Sequence, residues 1–231
     1  MKSTWSVLLL LVLAATMTSC TGERMLLRKG ERILFLGDSI TEQGVEPNGY
    51  VALLRHDLTA RYPGLELDII GAGISGNKVT DLENRLSKDV IEKKPTIVVI
   101  YIGINDVWHW ALENHQGTTE AEFERRLREI IARIQYSGSE VVLCTPSVIG
   151  EKFDGSNPQD PVLEQYCAIS RKIALDRGIR LCDLRKAFLT YLTVHNKENN
   201  EKNVLTTDGV HLNDAGNRLV ADEILRFLGE Q

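Results

Sequence analysis

Hydrolysis of an ester by serine makes three demands on a chain. A hydroxyl is a weak nucleophile until a base accepts its proton. A histidine base needs a carboxylate to hold its tautomer. The developing oxyanion needs fixed donors shielded from water. Ser39, in Gly37-Asp38-Ser39-Ile40, directly follows the apolar run 33–36. A glycine and a serine at the end of such a run stand where an α/β sheet presents reactive groups. Gly-Asp-Ser is equally a good turn sequence, so its meaning depends on partners elsewhere in the chain.

Five histidines are available as the base: His56, His109, His115, His195 and His211. His211 ends Thr207-Asp208-Gly209-Val210-His211, with Asp208 three residues upstream. In one turn that spacing can set a carboxylate beside the imidazole. Asp208-Gly209 also reads as an ordinary turn. His109 competes for the role but lacks a carboxylate at such a spacing. Two stretches offer oxyanion donors beside the amide of Ser39 itself. Gly76, in Gly73-Ile74-Ser75-Gly76-Asn77, leaves its backbone amide open to close approach. Asn105, in Gly103-Ile104-Asn105-Asp106, carries a side-chain amide that reaches where the backbone cannot. A glycine loop and an Asn-Asp turn are the bland readings of these two stretches. Gly73 is a rival to Gly76.

These residues must be positioned by strands and helices, and the chain alternates the two. Strands are expected at 33–36, 65–70, 95–102, 140–144 and 179–182, and helices at 50–62, 79–91, 118–135, 162–176, 184–192 and 213–228. The run 95–102 is β-branched and apolar on both faces, as in the centre of a parallel sheet. Such alternation predicts βαβ units with right-handed crossovers and helices on both faces. Ligands then bind beyond the carboxyl ends of the strands. Ser39, Gly73–Asn77 and Gly103–Asp106 follow the first three strands, so their loops should converge on one edge.

Gly37-Asp38-Ser39-Ile40, Gly76, Gly103-Ile104-Asn105-Asp106 and Asp208-Gly209-Val210-His211 together resemble, in order and spacing, the motif blocks of the SGNH (GDSL-type) hydrolases. The resemblance spans residues 31–229. It implies a flavodoxin-like three-layer α/β/α sandwich on a five-stranded parallel sheet, and a serine esterase needing no metal or other cofactor. Carried over, Ser39 is the nucleophile, His211 the base and Asp208 its orienting acid. The oxyanion donors are the amides of Ser39 and Gly76 and the side chain of Asn105. Ile40 stands where the family's name has Leu, away from the chemistry. The run 101–108 resembles a secreted bacterial subgroup, several members of which are linked to carbohydrate deacetylation. Trp108-His109-Trp110 then suits stacking on a sugar ring or lining an acyl pocket, or else packs down as a lid. Asp38, Trp108 and His109 are the expected substrate contacts. The expected reaction is hydrolysis of short-acyl, acetyl-type esters, on a small molecule or an oligosaccharide. Lysophospholipase or thioesterase activity is the alternative on lipid; a non-catalytic cell-envelope binding protein is the alternative outside catalysis.

With 231 residues, 43% of them hydrophobic, the chain fills one core and is short for two. A net charge of -5 without a basic cluster argues against nucleic-acid binding. Asp38 and Glu42, after the first strand, would repel a phosphate. Lys2, the apolar run 7–15 and Thr18-Ser19-Cys20 predict an export signal over residues 1–20. That apolar run is about half the roughly 20 residues that span a bilayer. Cys20 resembles a bacterial lipoprotein acylation site, although Met17 stands where Leu is usual. The expectation is a signal at 1–20, a linker at 21–30 and a hydrolase domain at 31–231. The protein would be secreted, periplasmic or on the outer cell envelope, touching membrane only through a lipid on Cys20. Cys144 and Cys182 fall in apolar strands and read as buried thiols, with a disulfide between them as the alternative. No C-x-x-C spacing marks a metal site.

Overall fold

The structure is a computed structural model that describes residues 27–112 and 115–228. The expected signal segment and Cys20 lie outside the described residues. Five parallel strands form one sheet: β1 (Arg32–Gly37), β2 (Asp68–Gly73), β3 (Ile97–Tyr101), β4 (Glu140–Cys144) and β5 (Arg180–Cys182). Their order is β2-β1-β3-β4-β5. The strand order reverses between β1 and β3, and in such a sheet the reversal opens a crevice at the carboxyl ends. All five residues of β3 are buried, as its two-sided apolar sequence requires.

Eight helices cover the sheet: α1 (Ser39–Gly44), α2 (Tyr50–Arg61), α3 (Val79–Asp89), α4 (Ile104–Trp108), α5 (Glu120–Tyr136), α6 (Asp160–Arg177), α7 (Leu184–His195) and α8 (Asp214–Leu228). α3, α5 and α6 pack side by side, as do α2, α8 and α7, giving the three layers. α5 shows why a helix forms where it does. Thr119 caps it by accepting from Glu122 N, and Phe123, Leu127, Ile130, Ile131 and Ile134 make one buried stripe. At the head of α8, Asn213 Oδ1 accepts from Gly216 N at 3.0 Å.

The register aligns the loops that matter. Gly37 pairs with Gly73 on one side and Tyr101 on the other, and Tyr101 with Cys144. The chain therefore leaves β1, β2 and β3 at one level, and the segments carrying Ser39, Gly76 and Asn105 start together.

Three expectations need correction. The second strand begins at Asp68, not at residue 65, because Pro63–Leu65 close a 3-10 turn and Glu66 turns left-handed at φ 52°. The segments after β1 and β3 are short helices, α1 and α4, rather than loops. The polar stretch 195–203 is not wholly surface: Asn196 is 1% exposed and ties down the loop after α7. Cys144 and Cys182 are register partners and buried, and both are free thiols, as is Cys167. Among the described residues, no helix is long and apolar enough to cross a membrane.

Candidate active site

Ser39 is the first residue of α1, and Asp38 is its cap: Asp38 Oδ1 accepts from Ile40 N at 3.0 Å. N–H groups in a first helical turn have no partner within the helix. The amide of Ser39 is therefore held at the site by a cap rather than used up in the helix. Ser39 is 7% exposed, and its Oγ lies 2.9 Å from His211 Nε2. His211 Nδ1 lies 2.7 Å from Asp208 Oδ2. The other oxygen, Asp208 Oδ1, accepts from the backbone N–H of His211 at 2.8 Å and of Val210 at 2.9 Å. Partial burial works to raise the Asp208 carboxyl, but bonds from the His211 side chain and amide and from Val210 N outweigh it. The net effect holds it below its ordinary value. A carboxylate accepting from both ring and backbone stays ionised and fixes the ring's orientation.

The segments that carry the two other expected donors, Gly76 and Asn105, are joined to each other. Gly76 has φ 76°, in the tight turn where Asn77 N donates to Ile74 O at 3.2 Å. A Cβ there would meet nothing within 4 Å, so its face is open. Gly73 differs. A Cβ on it would lie against the backbone of Thr41 and Glu42 and 2.7 Å from Asp38 O. The two glycines differ in surroundings: Gly73 makes a packing contact of β2 on α1, while the Cα face of Gly76 is open. Asn105 is 3% exposed, and its Nδ2 donates to Asn77 O at 3.0 Å. One N–H of its amide is thus tied to the Gly76 turn, which leaves the second to reach the site. Asp106 beside it is fully buried and accepts from Val79 N through both oxygens at 3.2 Å. It joins the head of α3 to α4. Burial pushes its carboxyl up to about 6, against hydrogen bonds from Thr118 and Val79.

The model of the GDSL-like lipase/acylhydrolase family matches residues 35–219. The chain belongs to that family. It is a hydrolase of ester bonds. An acetylxylan esterase from Geobacillus stearothermophilus is 34% identical over 224 residues, which are 89% of this chain and 97% of that one. The crystal structure of an acetyl xylan esterase 46% identical to this chain superposes with a TM-score of 0.81, over 84% of this chain and 97% of its own. The crystal structure of an acetylxylan esterase from Geobacillus stearothermophilus, 32% identical, gives a TM-score of 0.80 over 90% and 98%. Catalytic mutants of that Geobacillus enzyme at a serine, an aspartate and a histidine have also been solved.

In this GDSL-like hydrolase the expected substrate contacts fare differently. Trp108 ends α4, and its indole meets the His211 ring edge-on, with centroids 6.3 Å apart. It is a wall of the site. His109 is half-buried next to it; burial and the Lys78 charge hold its imidazole below the ordinary range. Trp110 points elsewhere: its Nε1 donates to Thr118 O at 3.2 Å, and its ring packs against Gly117. Asp38 has a second role. It is 2% exposed, and its Oδ1 is engaged as the helix cap. Burial, reinforced by the charge of Asp106, pushes its carboxyl up to about 7 against the Ile40 hydrogen bond and the His211 charge.

Two supports went unread in the sequence. Glu42 on α1 accepts from Ser75 through both its N–H, at 3.1 Å, and its hydroxyl, which braces the Gly76 turn. Glu151, in the loop after β4, is fully buried and bonded to residues 204–206. The first had no local signal, since Glu42 meets Ser75 from 33 residues away. Nor had the second. Among the described residues, no cluster of three or more His, Cys, Asp or Glu side chains is arranged to hold a metal ion.

Proposed function

We propose that the protein is a serine esterase that removes acetyl groups from acetylated carbohydrate, with Ser39 as nucleophile, His211 as base and Asp208 as its orienting acid. The observation that carries this is the continuous relay from Ser39 Oγ to His211 Nε2 at 2.9 Å and from His211 Nδ1 to Asp208 Oδ2 at 2.7 Å. Ser39 passes its proton to His211 and attacks the acetyl carbonyl. The oxyanion is met by the amides of Ser39 and Gly76 and the side chain of Asn105. His211 gives the proton to the departing sugar oxygen as its bond to the acetyl carbon breaks, which frees the sugar hydroxyl and leaves an acetyl group on Ser39. Water, deprotonated by His211, then releases acetate. Asp208 keeps the imidazole in one tautomer and stabilises its charged form. Trp108 and His109 line the approach, where an indole suits the apolar face of a sugar ring or of a small acyl group. The acetylxylan esterase relatives support an acetyl group on a polysaccharide as the substrate.

The test compares acetate release from acetylated xylo-oligosaccharides, hydrolysis of p-nitrophenyl acetate and hydrolysis of p-nitrophenyl octanoate, for wild type and Ser39→Ala. Acetyl substrates should be preferred, and Ser39→Ala should be inactive on all three. A preference for octanoate would move the substrate to lipid. Activity retained by Ser39→Ala would remove the nucleophile assignment. We read residues 1–20 as an export signal and Cys20 as its acylated residue, which puts this activity outside the cytoplasm. Membrane-fraction recovery of the full chain that Cys20→Ala abolishes is the result expected of the anchor.

A further inference from the structure

His211 stands on a long segment between α7 and α8 whose regular structure is a single bridge, Thr206 to Leu212. Ordering such a loop costs conformational entropy at every residue. A base must nevertheless be held to within about 0.5 Å of its working geometry. Something outside the loop has to supply that order. We propose that Glu151 is the positioning residue of the base, its buried carboxylate clamping the loop that carries Asp208 and His211. This rests on the assignment of His211 made above.

Glu151 lies in the loop between β4 and α6 and is fully buried. A buried carboxylate is costly unless each oxygen is satisfied. Here Oε1 accepts from Leu205 N at 2.7 Å, Thr206 N at 2.5 Å and Thr206 Oγ1 at 2.7 Å. Oε2 accepts from Val204 N at 2.8 Å. Three consecutive backbone amides and a hydroxyl thus converge on one charge, and hydrogen bonds to an ionised acceptor are the strong ones. The connection to the base is short. Thr206 Oγ1 also accepts from Gly209 N at 3.0 Å, next to Asp208, and Thr207 N donates to His211 O at 2.8 Å. The backbone adds to the clamp: Gly150 N donates to Gly209 O at 2.7 Å, and Glu151 N to Glu201 O at 2.8 Å. The clamp is itself anchored. Buried Arg185 donates to Ser147 O at 3.2 Å and pairs with Asp160 at 2.8 Å, pinning both ends of the loop that carries Glu151. That is a function for the Gly/Ser/Asn/Pro segment 150–161: it adds polar anchors to a loop whose buried Leu205, Val210 and Leu212 already pack in the core.

Glu151→Gln keeps the shape but must aim an amide N–H at a group that already donates. In the full chain, kcat for p-nitrophenyl acetate, normalised to serine titrated with a fluorophosphonate, should fall about 10²-fold with KM unchanged. The low-field proton resonance of the His211 Nδ1–Asp208 hydrogen bond should broaden or vanish. Thr206→Val should give a smaller fall of the same kind, and Thr206→Ser should restore wild-type kcat. If Glu151→Gln does not fold, the Thr206 pair decides. Wild-type kcat per titrated serine with an unchanged resonance in Glu151→Gln, or equal kcat in Thr206→Val and Thr206→Ser, would overturn the clamp. Ser39→Ala run alongside separates the two proposals. If it stays active, the assignment of the site fails. If it is inactive while Glu151→Gln and Thr206→Val keep wild-type kcat, only the clamp fails.

Discussion

Ser39 stands two residues beyond a strand paired on both sides and buried from Ile33 onward, whereas His211 stands on a loop that no strand extends. Ser39, the proposed nucleophile, is placed by the end of a paired strand: β1 stops, the Asp38 side chain caps α1, and Gly73 lets β2 close onto that helix. The base is placed by side chains, with Asp208 gripping the ring and Glu151 the loop. The donor side resembles the nucleophile side, since Gly76 and Asn105 follow β2 and β3 at the same level as Ser39. A sheet edge can start several residues at one level, leaving only short caps and braces such as Asp38 and Glu42 to finish their aim. A residue brought in from the far end of the chain needs a dedicated polar anchor, and that anchor has to be fully hydrogen-bonded to be worth its burial.

The largest effect should come from cutting the relay where the two halves meet. Ser39→Ala and His211→Ala should each lower kcat for acetyl esters by about 10⁴-fold or more, and the double variant should be no worse than either. Additive losses in the three kinetic measurements would mean that the two residues do not act as a unit. Next is Asn105→Ala, expected to cost about 10²–10³ in kcat as one oxyanion donor is removed. A change in KM alone would make Asn105 a ground-state contact. The glycines then sharpen the contrast on the sheet side. Gly73→Ala should destabilise by about 1–3 kcal/mol in urea unfolding, because its neighbours are backbone atoms that cannot give way. Gly76→Ala should cost about 1–2 kcal/mol through its left-handed backbone alone. The reverse ranking would place the tight contact at the wrong glycine.

The last expected effect is on pH. Burial raises the Asp38 carboxyl to about 7, above its unfolded value, so the folded chain binds this proton more tightly than the unfolded one. That contribution to stability is full below the unfolded pKa and is lost as pH rises through about 7. Asp38→Asn keeps an oxygen for Ile40 N and removes the titration. Its melting temperature should therefore gain on wild type between about pH 4.5 and pH 8. A constant difference across that range would show that the buried carboxyl is not what titrates. Asp208, shifted the other way, contributes stability above its unfolded pKa that is lost as pH falls.

How much could be read beforehand varied by element for physical reasons. β3 and β4 were legible because a buried central strand has to be apolar on both faces. The second strand was placed early because Leu65 and Leu67 look like strand residues until Pro63 is seen to start a 3-10 turn. α1 and α4 were missed because five or six residues cannot display a 3.6-residue period. The capping role of Asp38 was not legible because residue type does not say which way a side chain points. Glu151 left no local trace: its partners lie more than fifty residues on, and a lone glutamate in a polar loop reads as solvated surface.

The sequence by itself determined the alternation of strands and helices, the parallel sheet and the separated blocks carrying Ser39, Gly76, Asn105, Asp208 and His211. These are local properties, set by apolar period, turn chemistry and short spacings. Asp208 and His211, three residues apart, belong in the same class. Only the tertiary structure decided that Ser39 Oγ meets an imidazole 172 residues away, that Gly73 packs tightly while Gly76 has an open face, and that a buried glutamate bonds the loop carrying His211. Those outcomes depend on strand order, on register and on which face of a turn is covered, and none of the three is written in any short stretch of chain.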